Sequence, residues 1–284
     1  MKKNKTPFLL TLVQWIFPKL EKIAPFVANR LFIRIFFTPL NYRVPEKELA
    51  IERQAKKFTV LVKSKKIQCY RWGEGPVVLV LHGWAGRATQ FRKFIEVLTQ
   101  SGYQVVGLDG PAHGRSEGSS TDIFEFEEAL KKIWDIIGIP RAVIAHSFGG
   151  AAVLFAAMNG LAVPKLINIA SPTVGDKIIY TYLKTIGATW KTGDYFKSYV
   201  KKKSGKTFDE FTSVYFIQHL RQETELLLVH DTDDEEVTID QAQEMLKLYP
   251  RAVLFQTSGL GHTRILRDDA VIQRCVTFVE EIRH

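Results

Sequence analysis

The stretch AVIAHSFGG at residues 142–150 decides the fold class of this 284-residue chain. Apolar, strand-forming residues run into His146 and Ser147, and two glycines then open a helix-forming segment. A serine on a sharp turn from strand to helix needs small residues two positions before and after it, because larger side chains would collide with the turn. Ala145 and Gly149 fill those positions. The stretch therefore predicts a sharp turn that places Ser147 at a helix N-terminus, where free N–H groups favour developing negative charge.

Short apolar segments alternate with longer amphipathic ones on both sides of this stretch. A hairpin is predicted at 57–72, and further strands are predicted at 77–81, 104–108, 142–145, 165–169, 225–229 and 252–255. Helices are predicted between them, at 88–100, 122–137, 148–159, 238–248 and 267–282. Such alternation favours an α/β fold with a mostly parallel central sheet flanked by helices.

Four more motifs stand at predicted strand ends: His82-Gly83-Trp84, residues 109–116 with Asp first and Gly-Arg-Ser last, residues 230–237, and residues 259–262. Together with the serine turn, and in this order, they make residues 57–284 resemble the α/β-hydrolase family. The resemblance implies that fold and a Ser-Asp-His catalytic triad.

The resemblance also assigns roles to residues. It makes Ser147 the nucleophile and His262 the general base, and it assigns the oxyanion hole to the backbone N–H groups of Trp84 and Phe148. Asp109 is expected to organise a loop. His82, His113 and His146 are expected to form turns or support the site, without transferring protons themselves.

Five acidic residues crowd the loop after the strand at 225–229. The family pattern His-Gly-x-x-Asp-x-x-Val places the triad acid at Asp234, with Val237 in register, although Asp231 stands where the family has glycine. The other acids are expected to be solvated or to cap the next helix. In the histidine loop, Gly259 and Gly261 suggest a backbone that passes close to another group.

The implied function is a serine hydrolase that cleaves carboxylic esters through an acyl-enzyme. A thioesterase, a lysophospholipase or an acyltransferase would use the same residues, and a non-catalytic binding protein on this fold is a further alternative. Serine at the turn disfavours the family's dehalogenases and epoxide hydrolases, which use aspartate there. The sequence has no glycine-rich nucleotide motif and no His-Glu-x-x-His motif, so we expect neither a cofactor nor a metal.

Residues 172–222 interrupt the alternation of strands and helices. This 51-residue stretch is too long for a connecting loop and holds 10 of the 33 aromatic residues. It is predicted to be a helical cap (lid) inserted into a catalytic domain formed by residues 57–171 and 223–284. Its aromatic content favours a substrate with an apolar acyl or alkyl group.

Residues 1–56 are predicted to form a basic, amphipathic helical segment that Pro18 and Pro25 break or kink into short helices. Three interpretations stay open. The helices pack onto the catalytic body, or residues 1–40 lie on an anionic membrane surface, or the segment is an export signal.

Net charge narrows the choice of partners. The chain carries +9, but residues 1–66 alone hold 15 Lys/Arg against 4 Asp/Glu, so the excess is local. Nucleic acid is disfavoured because the basic residues are interleaved with long aliphatic runs and no nucleic-acid motif is present. Two cysteines, Cys69 and Cys275, cannot build a disulfide framework. We therefore expect a cytoplasmic protein, with a peripheral membrane location as the alternative.

Overall fold

The computed structural model describes residues 8–220 and 224–281. Lys2, Lys3 and Lys5, which the membrane interpretation uses, and the last two residues of the predicted cap lie outside that description. The described chain divides into two compact units. One contains the chain up to Thr38 together with Val174–Thr212, and the other contains Pro39–Thr173 and the chain from Ser213 onward. The predicted cap thus contributes most of its residues to the first unit and its final helix to the second.

The second unit is built on an eight-stranded sheet. Its strands are β1 (Lys56–Val62), β2 (Lys65–Trp72), β3 (Val77–Leu81), β4 (Gln104–Leu108), β5 (Ala142–His146), β6 (Lys165–Ile169), β7 (Glu225–Asp231) and β8 (Val253–Thr257). The spatial order is β1-β2-β4-β3-β5-β6-β7-β8. The pairs β1–β2 and β2–β4 are antiparallel and the others are parallel, which confirms the predicted sheet.

Helices connect these strands in the described part of the unit. They are α3 (Glu46–Gln54), a 3-10 turn at Ala88–Phe91 running into α4 (Arg92–Gln100), α5 (Ile123–Ile137), α6 (Phe148–Met158), α9 (Ser213–Gln218), α10 (Asp240–Leu248), α11 (Gly261–Arg264) followed by a 3-10 turn at Ile265–Arg267, and α12 (Asp269–Glu280).

The central strands are covered on both faces. Val78 and Val80 of β3 join a core with Phe94 of α4 and Val276 of α12. Their neighbour Leu79, which points to the opposite face, is also fully buried. Burial on both faces explains why these strands are continuous apolar runs and not alternating ones. All parallel strands end at one edge of this sheet, so the loops that follow them meet there.

Four longer helices make up the first unit: α1 (Phe8–Ile23), α2 (Pro25–Phe37), α7 (Gly175–Ile186) and α8 (Trp190–Ser204). Of the two prolines predicted to break or kink this segment, Pro18 lies inside α1 without ending it, and Pro25 begins a new helix. Proline at the first helical position loses no hydrogen bond, which explains the start of α2.

Helices α1 and α2 share a core with helices of the inserted segment. Phe17 of α1 and Phe32 of α2 are fully buried in a core with Leu183 of α7 and Phe196 of α8. The rings of Phe32 and Phe196 meet edge to face, with centroids 5.4 Å apart. Packing onto the catalytic body was one of the three interpretations of residues 1–56; the observed core joins α1 and α2 to α7 and α8 of the inserted segment.

Candidate active site

Ser147 occupies the turn between β5 and α6. Its backbone has φ 50° and ψ −126°, a conformation that non-glycine residues rarely adopt. Its N–H donates to the carbonyl of Ile169 on the neighbouring strand, at 2.8 Å. Strain of this kind persists only where the surroundings hold it, and here it presents the side chain at the edge of the sheet.

Two close approaches hold this turn. A Cβ on Gly149 would lie 2.5 Å from the carbonyl oxygen of His82 and 2.6 Å from that of Leu81. A Cβ on Gly83 would lie 2.8 Å from the Cβ of Ser147. The loop after β3 therefore packs directly against the serine turn, and both positions require glycine.

His262 lies between Ser147 and Asp234. Its Nε2 is 3.1 Å from Ser147 Oγ, and its Nδ1 is 2.7 Å from Asp234 Oδ2. Ser147 follows β5, Asp234 follows β7 and His262 follows β8, so the three side chains converge from separate strand ends. The arrangement allows a proton to pass from the hydroxyl to the imidazole while the carboxylate holds the opposite ring nitrogen.

The electrostatics of this pair favour a charged imidazole. Burial acts to lower the pKa of His262, but the hydrogen bond and charge of Asp234, with help from Glu236, raise it above its usual value. Burial acts to raise the pKa of Asp234, but its bonds to His262 and to two backbone N–H groups bring it below its usual value. Asp234 therefore stays ionised, and His262 is a stronger base than a free histidine.

Asp234 is fixed by its own loop. Its Oδ1 accepts the backbone N–H groups of Glu236 and Val237, both at 2.9 Å. His230 at the end of β7 lies 2.7 Å from the carbonyl oxygen of Val237 through Nε2, so that nitrogen donates. These contacts leave Oδ2 of Asp234 directed at His262. Glu236 is a less suitable partner because its carboxylate is 4.0 Å from Nε2, the nitrogen that faces Ser147, and is largely exposed.

The predicted oxyanion donors lie in two adjoining turns. Trp84 follows Gly83, and Phe148 follows Ser147 as the first residue of α6. Their rings meet edge to face with centroids 5.3 Å apart. In the described ranges, neither backbone N–H donates to a protein acceptor.

A profile of the family described as alpha/beta hydrolase fold matches residues 76–192 of this chain. Among solved structures, an esterase of Pyrococcus furiosus superposes with a TM-score of 0.64 at 19% identity, covering 86% of this chain and 96% of that one. The chain therefore has the α/β-hydrolase fold, and residues 76–192 match that family.

Two curated relatives resemble parts of this chain. The magnesium-chelatase 30 kDa subunit of Rhodobacter capsulatus is 35% identical over 100 residues, which is 34% of either chain. A monoacylglycerol lipase of Mycolicibacterium smegmatis is 31% identical over 85 residues, 27% of this chain and 30% of the lipase. The matched stretch thus spans about a third of each relative's length.

Asp231 is a residue of the candidate site whose role was not predicted from the sequence. It was expected to be solvated or to cap a helix, yet its carboxylate is fully buried. Oδ1 accepts the N–H groups of Asp233 and Gly261, and Oδ2 accepts the Thr257 hydroxyl and the N–H of Leu260. Burial acts to raise the pKa of Asp231, and these four donors lower it below its usual value. The sequence signal that could have identified Asp231 is its position, because the family pattern has glycine there.

Asp233 also holds the histidine loop, through a 2.8 Å bond from the N–H of Gly259 to its Oδ2. Gly259 and Gly261 have φ of 77° and 64°, and a Cβ on either would meet nothing closer than 3.7 Å. The expected close approach at these glycines is therefore wrong. They are needed for a left-handed backbone in the turn that delivers His262.

His82, His113 and His146, which were expected to form turns or support the site, are all buried. His146 Nε2 lies 2.9 Å from the carbonyl oxygen of His262, and burial lowers its pKa to about 3. His82 Nδ1 lies 2.7 Å from the carbonyl oxygen of Gly83, while its Nε2 accepts the N–H of Gly110. Burial lowers the pKa of His113 to about 4. Each is therefore neutral near pH 7.

Asp109 organises a loop, as predicted from the sequence. Its buried carboxylate accepts bonds from the Tyr70 hydroxyl and from the backbone N–H groups of Ala88 and Arg115. In the described residues, no group of three or more His, Cys, Asp or Glu side chains could hold a metal ion.

Proposed function

We propose that this α/β-hydrolase cleaves carboxylic esters with an apolar acyl or alkyl group, using Ser147, His262 and Asp234. The observation that carries the proposal is the chain of contacts from Asp234 Oδ2 through both nitrogens of His262 to Ser147 Oγ. A hydroxyl is a poor nucleophile near pH 7 without an adjacent base, and this geometry supplies one.

The reaction proceeds in two halves. Ser147 Oγ attacks the ester carbonyl while its proton passes to His262 Nε2, and the backbone N–H groups of Trp84 and Phe148 stabilise the oxyanion. The tetrahedral intermediate collapses, and the alcohol leaves with the proton from His262. Water then attacks the acyl-enzyme, giving its proton to His262, and the carboxylic acid departs as Ser147 recovers its hydrogen.

The preference for an apolar group rests on the aromatic residues beside the serine. The rings of Trp84 and Phe148 are each half-buried, and Phe148 packs in turn on the buried Phe126 with centroids 5.0 Å apart. Such a surface favours contact with hydrocarbon and offers no charge to a polar acyl group.

The proposal is tested by initial rates on p-nitrophenyl esters from two to twelve carbons, with acyl-CoA and lysophospholipid alongside. We expect measurable ester hydrolysis that rises with chain length before it falls. Ser147→Ala should reduce it by at least ~10³-fold. Ser101→Ala, at an exposed serine after α4, is the matched control and should retain the wild-type rate. Ester hydrolysis that persists in Ser147→Ala would overturn the mechanism. Turnover of acyl-CoA alone would mean that the substrates are thioesters and not carboxylic esters.

A further inference from the structure

The outward face of α1 is apolar where a surface helix normally carries polar residues. Leu12, Trp15, Ile16 and Ile23 recur at spacings of three, four and seven residues, which places them along one side of the helix. Their exposed fractions run from 38% for Ile16 and 64% for Trp15 to 84% for Ile23. The opposite side of α1 is already occupied, because Phe17 is fully buried in the core of the unit. The exposed stripe is therefore a second apolar face that this core does not use.

The stripe continues across the turn into α2. Phe26 and Val27, in its first turn, are 63% and 51% exposed, next in sequence to Ile23 across Ala24 and Pro25. The tip of the α1–α2 hairpin thus displays three large apolar side chains together. Contiguous exposed apolar surface of this kind marks a site for a membrane or another protein.

Basic side chains surround these apolar residues. Lys19 and Lys22 are exposed on α1, and Arg30 and Arg34 are exposed on α2. Lys19 Nζ lies 3.3 Å from the centre of the Trp15 ring, and the Arg30 guanidinium lies 5.6 Å from that of Phe26. Aromatic rings that sit beside cationic groups are typical of a protein surface at the lipid headgroup level.

The acidic side chain of these two helices is turned away from that face. Glu21 is the single Asp or Glu between residues 8 and 38. Its carboxylate accepts bonds from the N–H and hydroxyl of Thr189 and the hydroxyl of Thr192, at the start of α8. No carboxylate of α1 or α2 therefore offsets the exposed Lys and Arg residues of the hairpin.

The two units also differ in net charge, and the positive one is the unit that contains the hairpin. The described residues of the first unit carry 12 Lys/Arg and 5 Asp/Glu, a net of +7, whereas those of the second carry 22 and 24, a net of −2. The described excess of positive charge lies wholly in the unit that displays the apolar tip.

We infer that the α1–α2 hairpin docks on an anionic lipid bilayer, with Trp15, Ile23 and Phe26 in the interface and Lys19, Lys22 and Arg30 at the headgroups. An apolar tip alone would fit a second protein copy equally well. The ring of exposed cations favours an anionic surface over a copy of itself, which would bring like charges together. No described helix is long and apolar enough to cross a membrane. Docking does not depend on the ester chemistry proposed above.

Point variants test this better than truncation, because removing the hairpin would also remove Phe17 and Phe32 from the core of the first unit. We compare Ile23→Ser/Phe26→Ser and Lys19→Gln/Lys22→Gln/Arg30→Gln with the full-length wild type. The matched control is Ile139→Ser/Lys132→Gln, which changes an exposed isoleucine and an exposed lysine of the second unit.

Binding is measured by co-sedimentation with vesicles of phosphatidylcholine alone and with 30% phosphatidylglycerol, at low and high salt. The wild type and the control should bind the anionic vesicles, more weakly at high salt. The charge variant should lose about 100-fold in partitioning, and the apolar variant at least ~10-fold. Hydrolysis of soluble p-nitrophenyl esters should be the same in all four proteins, so loss of docking is distinguishable from loss of the ester activity.

Three results would overturn the inference. The first is a wild-type protein that binds neither kind of vesicle. The second is binding by both hairpin variants that equals the binding of the wild type. The third is light scattering that shows a dimer abolished by Ile23→Ser/Phe26→Ser without any vesicle binding, because the occupant would then be a second copy.

Discussion

Asp231 holds the residue before His262: its Oδ1 accepts the N–H of Gly261 at 2.9 Å. Asp231→Asn should therefore lower kcat by up to ~10²-fold, because small displacements of a catalytic base are costly, while KM stays close to wild type. The measurement is kcat and KM for one p-nitrophenyl ester. Glu235→Gln, at an exposed acid of the same region, is the control and should change neither constant. Unchanged kcat in Asp231→Asn would show that the loop carrying His262 keeps its conformation without the Asp231 carboxylate.

The same carboxylate should contribute to stability in a pH-dependent manner. Its pKa is lower in the folded chain than in the unfolded one, so the stabilisation is present above the ordinary aspartate pKa and is lost as pH falls through the folded value. The difference in free energy of unfolding between wild type and Asp231→Asn, measured in urea, should therefore shrink as the pH is lowered from 7 toward 3. A difference that stays constant over this range would be inconsistent with a buried, ionised Asp231.

Glu236 should tune the base without being required for it. Its carboxylate is 4.0 Å from His262 Nε2 and helps to raise the pKa of the imidazole. Because His262 acts as a base only when neutral, the acid limb of kcat/KM lies above the usual histidine pKa in the wild type. Glu236→Gln should shift that limb to lower pH and leave the plateau rate nearly unchanged. A loss of plateau activity with no shift would point to a structural role instead.

Gly149 should tolerate no side chain. A Cβ there would meet two backbone carbonyls that cannot move independently of β3. We expect Gly149→Ala to cost about 1–3 kcal/mol of stability and to lower kcat, since the His82–Trp84 turn would have to shift. Gly102→Ala has open space for a Cβ but a φ of 81°, so it measures the cost of backbone strain alone. Similar kcat in the two variants would contradict a role for the close approach.

The core of the first unit should depend on both of its halves. Phe32 of α2 is fully buried against Phe196 of α8. Phe32→Ala should cost about 3–5 kcal/mol, and hydrogen exchange should then quicken in α8 as well as in α2. Quickened exchange confined to α1 and α2 would mean that α7 and α8 have a sufficient core of their own.

The sequence predicts the sheet, and it predicts Ser147, Asp234 and His262 at strand ends, because each of these depends on a local pattern. The strand at 142–146, the small residues around Ser147 and the spacing from His230 to Val237 are each readable within ten residues. Asp231 could not be interpreted in this way, since its partners Thr257, Leu260 and Gly261 come from a different strand and loop. The burial of Phe17 and Phe32 likewise depends on α7 and α8, more than 130 residues later. Hydrophobic periodicity indicates which face of a helix is buried, but not which element it packs against.

The central claim is that Ser147 is a nucleophile activated by His262. A fluorophosphonate probe tests it directly, because it forms a covalent bond only with an activated serine. Peptide mass spectrometry of the labelled wild type should find one modification, on Ser147, with none in Ser147→Ala and labelling slowed by about 10⁴-fold in Asp234→Asn. Labelling of another residue, or equal labelling of the wild type and Asp234→Asn, would contradict the account.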